Sequence, residues 1–187
     1  MPFVLTQHTL EKVQLCGKGD ILMKVIPYDR EKAVDYAHKW AFGRNPAYYN
    51  YDDIGGDCTN FASQTLRAGG GVMNTTPTFG WYYYSANNKS PSWTGVQYLY
   101  NFLTTNKGVG PFGHDAPISL AQPGDIIQLS FHSGQFQHSP VIVSVGEVPS
   151  FGNILIAAHT FDADNRPLFT YNWDDIRLIH IDGIRTW

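Results

Sequence analysis

The chain of 187 residues holds only two cysteines, Cys16 and Cys58. Two are too few for a disulfide framework, so the fold is expected to stand without one. No apolar run approaches the roughly 18 residues that a membrane-spanning helix requires. The opening Met1-Pro2-Phe3-Val4-Leu5-Thr6 lacks the basic stretch and long apolar core of a secretion signal. These absences lead us to expect a soluble, cytoplasmic chain that would reach any substrate outside the cell by another route. Basic excess is missing too. Thirteen Lys and Arg face 16 Asp and Glu, a net charge of −3, which gives no electrostatic reason to expect nucleic acid or an anionic membrane as partner. Charged residues are only 16% of the chain against 43% hydrophobic, a balance that buries a core and does not suit disorder. The length fits one domain.

Aromatic residues are plentiful, with 11 Tyr, 11 Phe and 5 Trp. That exceeds what a core of this size needs, and a peptide or carbohydrate groove is one outlet for the surplus. Residues 1–27 show no sustained period and read as a leader or short edge strand, with the folded domain expected over 28–187. Asp29 is a suitable N-cap for a helix carrying Ala33, Val34, Ala37 and Trp40 on one face, stopped at Gly43. A second helix begins at Cys58 and runs through Phe61, Ala62, Thr65 and Leu66 to the glycines 69–71. A third carries the stripe Val96, Leu99, Tyr100 and Leu103. The second half changes character. Strands are expected over 126–131, 138–145, 153–160 and 175–181, joined by short connections into an antiparallel meander. Helices first and sheet second give an α+β domain.

The chemistry centres on Gly55-Gly56-Asp57-Cys58. A thiol attacks well as thiolate, and a helix N-terminus favours negative charge, so placement there is expected to lower the Cys58 pKa. The unpaired N–H groups of the first turn can also receive the oxyanion of a tetrahedral intermediate. Two glycines before the turn let the backbone approach a substrate closely. The bland alternative, a small buried cysteine, fits poorly with polar Asp57, Thr59 and Asn60 around it; it suits Cys16.

A cysteine nucleophile needs a histidine base and a third group to orient it. His138 opens one strand and His159 ends the next, so an antiparallel pairing brings both to one end of the sheet. His132 is a rival base. His8 and His38 read as solvated positions in the leader and on the polar side of the first helix, His114 as a loop residue and His180 as part of the final strand. Asp57 is placed at the rim or the N-cap, and Trp81, Tyr82, Tyr83 and Trp93, on a loop rich in polar residues, form the candidate substrate wall. A zinc site from Cys58, His132, His138 and His159 is a weaker reading, because none of them shows paired ligand spacing. No metal or cofactor is therefore called for. Asp162-Ala163-Asp164-Asn165 reads as a turn and not as a calcium loop.

Several of these segments resemble one known family. Tyr28-Asp29-Arg30-Glu31-Lys32-Ala33-Val34 with Trp40-Ala41, then Gly55-Gly56-Asp57-Cys58-Thr59-Asn60-Phe61-Ala62-Ser63-Gln64, closely resembles the bacterial "putative amidase domain" family. Gln122-Pro123-Gly124-Asp125, His138-Ser139-Pro140-Val141 and Ala158-His159-Thr160-Phe161 extend the match in order, over roughly residues 28–182. The resemblance implies a papain-like α+β fold, related to the CHAP amidases and cell-wall endopeptidases. It implies Cys58 as nucleophile, His138 as base and a polar residue on the following strand as orienter. That place is held here by His159, with Asp162 and Asn165 as alternatives. The implied function is cysteine-dependent hydrolysis of a peptide or amide bond of bacterial peptidoglycan by a monomer. A non-catalytic peptidoglycan- or peptide-binding module is the second reading. The long stretch 1–27 departs from the family pattern.

Overall fold

The protein is described here by a computed structural model, which covers residues 22–132 and 134–187. Cys16, His8 and most of the expected leader lie outside the described residues. Within the leader, Lys24–Ile26 forms strand β1 on the edge of the main sheet, paired antiparallel with the last strand.

Helix α1 spans Arg30–Trp40 and begins as expected, with the Asp29 carboxylate accepting the Lys32 N–H at 3.1 Å. Helix α2 spans Cys58–Gly70, so Cys58 is its first residue. It ends through Gly71, whose φ of +69° is the left-handed C-cap that favours glycine. A two-stranded ribbon follows (β2, Tyr83–Ser85; β3, Asn88–Lys89), then a short helix α3 (Pro91–Thr94) and helix α4 (Val96–Thr105). The other strands of the main sheet are β4 (Gly110–Ala116), β5 (Ile126–Ser130), β6 (Val141–Ser144), β7 (Leu155–Ala158), β8 (Ala163–Pro167) and β9 (Asp175–Thr186).

All pairings are antiparallel, and among the described residues the order is β1-β9-β5-β6-β7-β8, with β4 on the other side of β9. The expected meander is therefore present from β5 to β7, and β8, which lies outside the expected strands, extends it. The last strand departs from it: β9 returns across the sheet to pair with β5, and its second half binds β4 and β1. The architecture is α+β. Strands β5 to β7 are buried on both faces, which explains their unbroken apolar runs. Ile126, Val141, Val143 and Ala157 join the helices in one core, while Ile127, Leu129, Ile142 and Ile156 build a second core on the opposite face.

Two of the motifs behind the family resemblance turn out to hold the fold together. Arg30 donates to the Pro123 carbonyl and, at 2.7 Å, to the buried Asp125 carboxylate, while Tyr28 Oη donates to the Gly124 carbonyl. Asp125 also accepts the backbone N–H of Ile181 and faces His180 Nδ1 at 2.8 Å. The segment Gln122-Pro123-Gly124-Asp125 thus ties the start of α1 to β9. Removing one partner of such a buried pair costs about 3–5 kcal/mol.

Helix α2 is the central element, and its polar side chains receive the groups packed around it. Trp81 Nε1 donates to Ser63 Oγ at 3.0 Å, Trp93 Nε1 to Asn60 Oδ1 at 2.8 Å and Tyr36 Oη to Gln64 Oε1 at 2.6 Å. Trp81 and Trp93 are both fully buried. This corrects the expectation that they line a substrate wall: α2 offers each indole N–H an acceptor, so both rings enter the core at little polar cost. Tyr82 is half-buried beside Tyr84, held through its backbone N–H to Ser90 Oγ.

Candidate functional site

The chain reaches Cys58 through Gly55 and Gly56, with φ of +87° and +97°. This is backbone that L side chains rarely adopt. A Cβ on Gly56 would sit 3.0 Å from Thr160 Oγ1, so the turn after β7 packs directly on the loop that leads into Cys58. Thr160 Oγ1 also accepts the Asp57 N–H at 2.7 Å.

The Cys58 side chain is buried against the segment that carries His138. Its Sγ lies 4.0 Å from the Gln137 carbonyl and 3.8 Å from Thr59 Oγ1, and the Ser139 N–H points toward it from the other side of His138. Thr59 Oγ1 in turn donates to Ser139 Oγ at 3.2 Å. The first turn of α2 and residues 137–139 are therefore locked together. The sheet supports this from beneath. His138 forms an isolated bridge with Leu129 of β5, so the strand expected from 138 is regular only from Val141.

The His138 imidazole is 4% exposed and sits beside the rings of Phe131 and Tyr171, with centroids 6.1 and 5.6 Å away. Among the described residues its Nε2 is buried without a hydrogen-bond partner. Burial pushes the imidazole down to about 4, and the nearby Arg166 charge adds to the effect. Burial likewise pushes the Cys58 thiol up, against the bonds from Ser139 and Thr59 that favour the thiolate, and the Asp57 carboxylate pushes the same way. This corrects the expectation of a lowered thiol pKa. Desolvation at this buried position outweighs the helix terminus, and the resting pair is a neutral thiol and a neutral imidazole.

The structure gives His159 partners of its own. Its Nδ1 meets Asp57 Oδ2 at 2.6 Å, its Nε2 donates to the Trp40 carbonyl at 2.7 Å and its ring stacks on Phe61 at 4.1 Å. Both ring nitrogens are thus committed away from His138, although His159 does lie at the same end of the sheet. Asp57 is fully buried instead of forming a rim. It accepts from the Tyr51 N–H at 2.9 Å and from Asn60 Nδ2 at 2.8 Å, with Arg44 Nε 3.8 Å away. The Asp57–His159 pair thus staples the residue before Cys58 to α1 and to the end of β7.

The other candidates are placed elsewhere. Asp162 accepts a two-pronged bond from Arg44 at 2.8 and 3.0 Å. Asn165 is exposed in β8 with φ +51°. His132 has its side chain 88% exposed, with Nδ1 3.9 Å from Asp174. Asp164 belongs to β8 and pairs with His38 at 2.7 Å, and His114 pairs with Asp182 at 2.9 Å. Among the described residues, no group of three His, Cys, Asp or Glu side chains is arranged to hold a metal ion.

Beside His138 a cleft of about 390 Å³ opens, lined by Phe131, Phe161, Arg166, Thr170, Tyr171 and Asn172. Sequence reasoning missed this set. Its members come from three connections and from β8, and only Phe161 falls in a motif behind the family resemblance; the paired aromatic and arginine residues after β7 were the available signal.

A family model described as "putative amidase domain" matches residues 27–181. The Bacillus subtilis (strain 168) protein named "Uncharacterized protein YhbB" is 35% identical over 147 residues, covering 76% of this chain and 45% of that protein. The chain thus spans less than half the length of that relative. No solved structure matches. The family match runs from the Arg30–Asp125 clamp through Cys58, His138 and His159, and on that basis the chain belongs to the putative amidase domain family, whose description points to amide hydrolysis.

Proposed function

We propose that the protein is a cysteine-dependent amide hydrolase of papain-like arrangement, with Cys58 as nucleophile and His138 as general base. The observation that carries this reading is the buried Cys58 thiol, at the first position of α2. It is held against residues 137–139, and His138 within that segment keeps Nε2 without a hydrogen-bond partner among the described residues. As Sγ attacks an amide carbonyl, its proton passes to His138. The new C–S bond forms as the carbonyl electrons move onto oxygen, and the unpaired N–H groups of the first turn of α2 stabilise that charge. His138 then gives its proton to the departing amine, leaving a thioester. Water, deprotonated by His138, hydrolyses the thioester and returns the thiol.

Starting from neutral partners, the proton moves during attack and not before it. Asp57 and His159 act as positioning residues, fixing the backbone that presents Cys58. Peptidoglycan stem peptides are the substrate we favour, on the family likeness. Incubation with purified bacterial cell wall, followed by mass analysis of the released fragments, tests the assignment. Native protein is expected to release peptide fragments and Cys58→Ala none. Equal release by both would remove Cys58 from the mechanism.

A further inference from the structure

One arginine beside the site has no use in the proposed chemical step. Arg166 of β8 is half-buried and lays its guanidinium 3.8 Å from the centre of the Tyr171 ring. Nε donates to Thr170 Oγ1 at 2.8 Å and Nη2 to the Thr170 carbonyl at 3.2 Å, which fixes the plane of the fork. Among the described residues no carboxylate pairs with it, whereas Arg30 holds Asp125 and Arg44 holds Asp52 and Asp162. Arg166 is therefore a positioned cation with no carboxylate partner among the described residues.

This cation faces the cleft of about 390 Å³ described above. The cleft adjoins the proposed base, because Phe131 and Tyr171 form both its walls and the contacts to the His138 ring. Phe161 on the rim is 81% exposed. It is held there by a turn in which Thr160 and Phe161 have φ of +57° and +75°. Left-handed backbone at a β-branched and an aromatic residue is strained, and such strain gathers at ligand sites. A planar guanidinium matches a carboxylate with two parallel bonds, and the aromatic walls suit an apolar group next to it.

We propose that this cleft is a carboxylate subsite, in which Arg166 binds a free carboxylate of the substrate while Phe131, Phe161 and Tyr171 enclose the neighbouring apolar part. The substrate class is then a short peptide or N-acyl amino acid with a free carboxylate near the cleaved bond, in preference to a neutral amide. The proposal rests on the amide-hydrolase reading and narrows it.

Binding to the Cys58→Ala protein tests the subsite without turnover. The probes are N-acetylphenylalanine and its neutral carboxamide, followed by calorimetry or NMR titration at low salt. The carboxylate is expected to bind at least about tenfold more tightly, Arg166→Gln to erase the difference and Arg166→Lys to restore only part of it. Equal affinities, no binding of either probe, or a preference that survives Arg166→Gln would overturn the proposal. Should Arg166→Gln fail to fold, Phe161→Asn serves instead: it relieves the strained backbone, removes one wall and is expected to weaken both probes several-fold. Unchanged affinity in that variant also counts against the subsite. Failure of the amide-hydrolase reading shows separately, as cell wall left intact by native protein.

Discussion

The neutral state of the Cys58–His138 pair can be tested through the pH dependence of thiol alkylation. Burial drives the imidazole down to about 4 and the thiol upward. An unperturbed thiol with a pKa of about 8.5 is roughly 3% ionised at pH 7, and Cys58 is expected to fall below that. A preformed thiolate–imidazolium pair, with a thiol pKa of about 3–4, would be fully ionised. The two cases therefore differ at least about thirtyfold in thiolate fraction. The rate difference is smaller, because low-pKa thiolates are weaker nucleophiles, so the midpoint of the profile discriminates better than any single rate. The assay is iodoacetamide labelling of a Cys16→Ser protein from pH 5 to 10, followed by intact mass, with circular dichroism at each pH to confirm folding. Labelling is expected to rise through a midpoint above the ordinary cysteine value, and to be slower at pH 7 than in the urea-unfolded protein. A plateau of fast, pH-independent labelling between pH 5 and 8 would refute the desolvation argument and restore the activated thiolate.

Other consequences follow from the same contacts. Asp57→Ala leaves His159 Nδ1, the Tyr51 N–H and Asn60 without their acceptor; a loss of about 3–5 kcal/mol in urea unfolding is expected. His138 binds its proton less readily folded than unfolded, so between pH 6.5 and about 4 the unfolded chain takes up more protons and stability falls with acid. That contribution is about 3 kcal/mol across the window, and His138→Gln should flatten the stability profile there by a similar amount. Trp93→Phe strands Asn60 Oδ1 in the core, for an expected loss of about 1–3 kcal/mol. If Trp93 instead touched substrate, the variant would keep its stability and change KM.

The site was legible in the sequence where chemistry and local pattern coincide. Two glycines, a polar cluster and a 3.6-residue period placed Cys58 at a helix start, and strand patterning put His138 and His159 at one end of the sheet. The partners of His159 were not legible. Its bond to Asp57 joins residues 102 positions apart, and local pattern carries no register between a helix cap and a hairpin. The aromatic loop misled for a related reason. A stretch rich in Tyr, Asn and Ser reads as surface, yet Trp81 and Trp93 are buried because Ser63 and Asn60 of α2 wait for their N–H groups. Strand β4 was hidden by Gly110, Pro111 and Gly113. Proline is tolerated at the start of an edge strand, and the register shift between Phe112 and Gly113 absorbs the glycine. Asn165, with φ +51°, disguised β8 in the same way.

The central claim is that an acyl group passes through the Cys58 sulfur. Rapid acid quenching of native protein with a cell-wall peptide substrate, then peptide mapping by mass spectrometry, tests it most directly. The account predicts an added acyl mass on the peptide containing Cys58, absent from Cys58→Ala and strongly reduced in His138→Ala. Hydrolysis by Cys58→Ala at the native rate, with no acyl mass on the native protein, would contradict it.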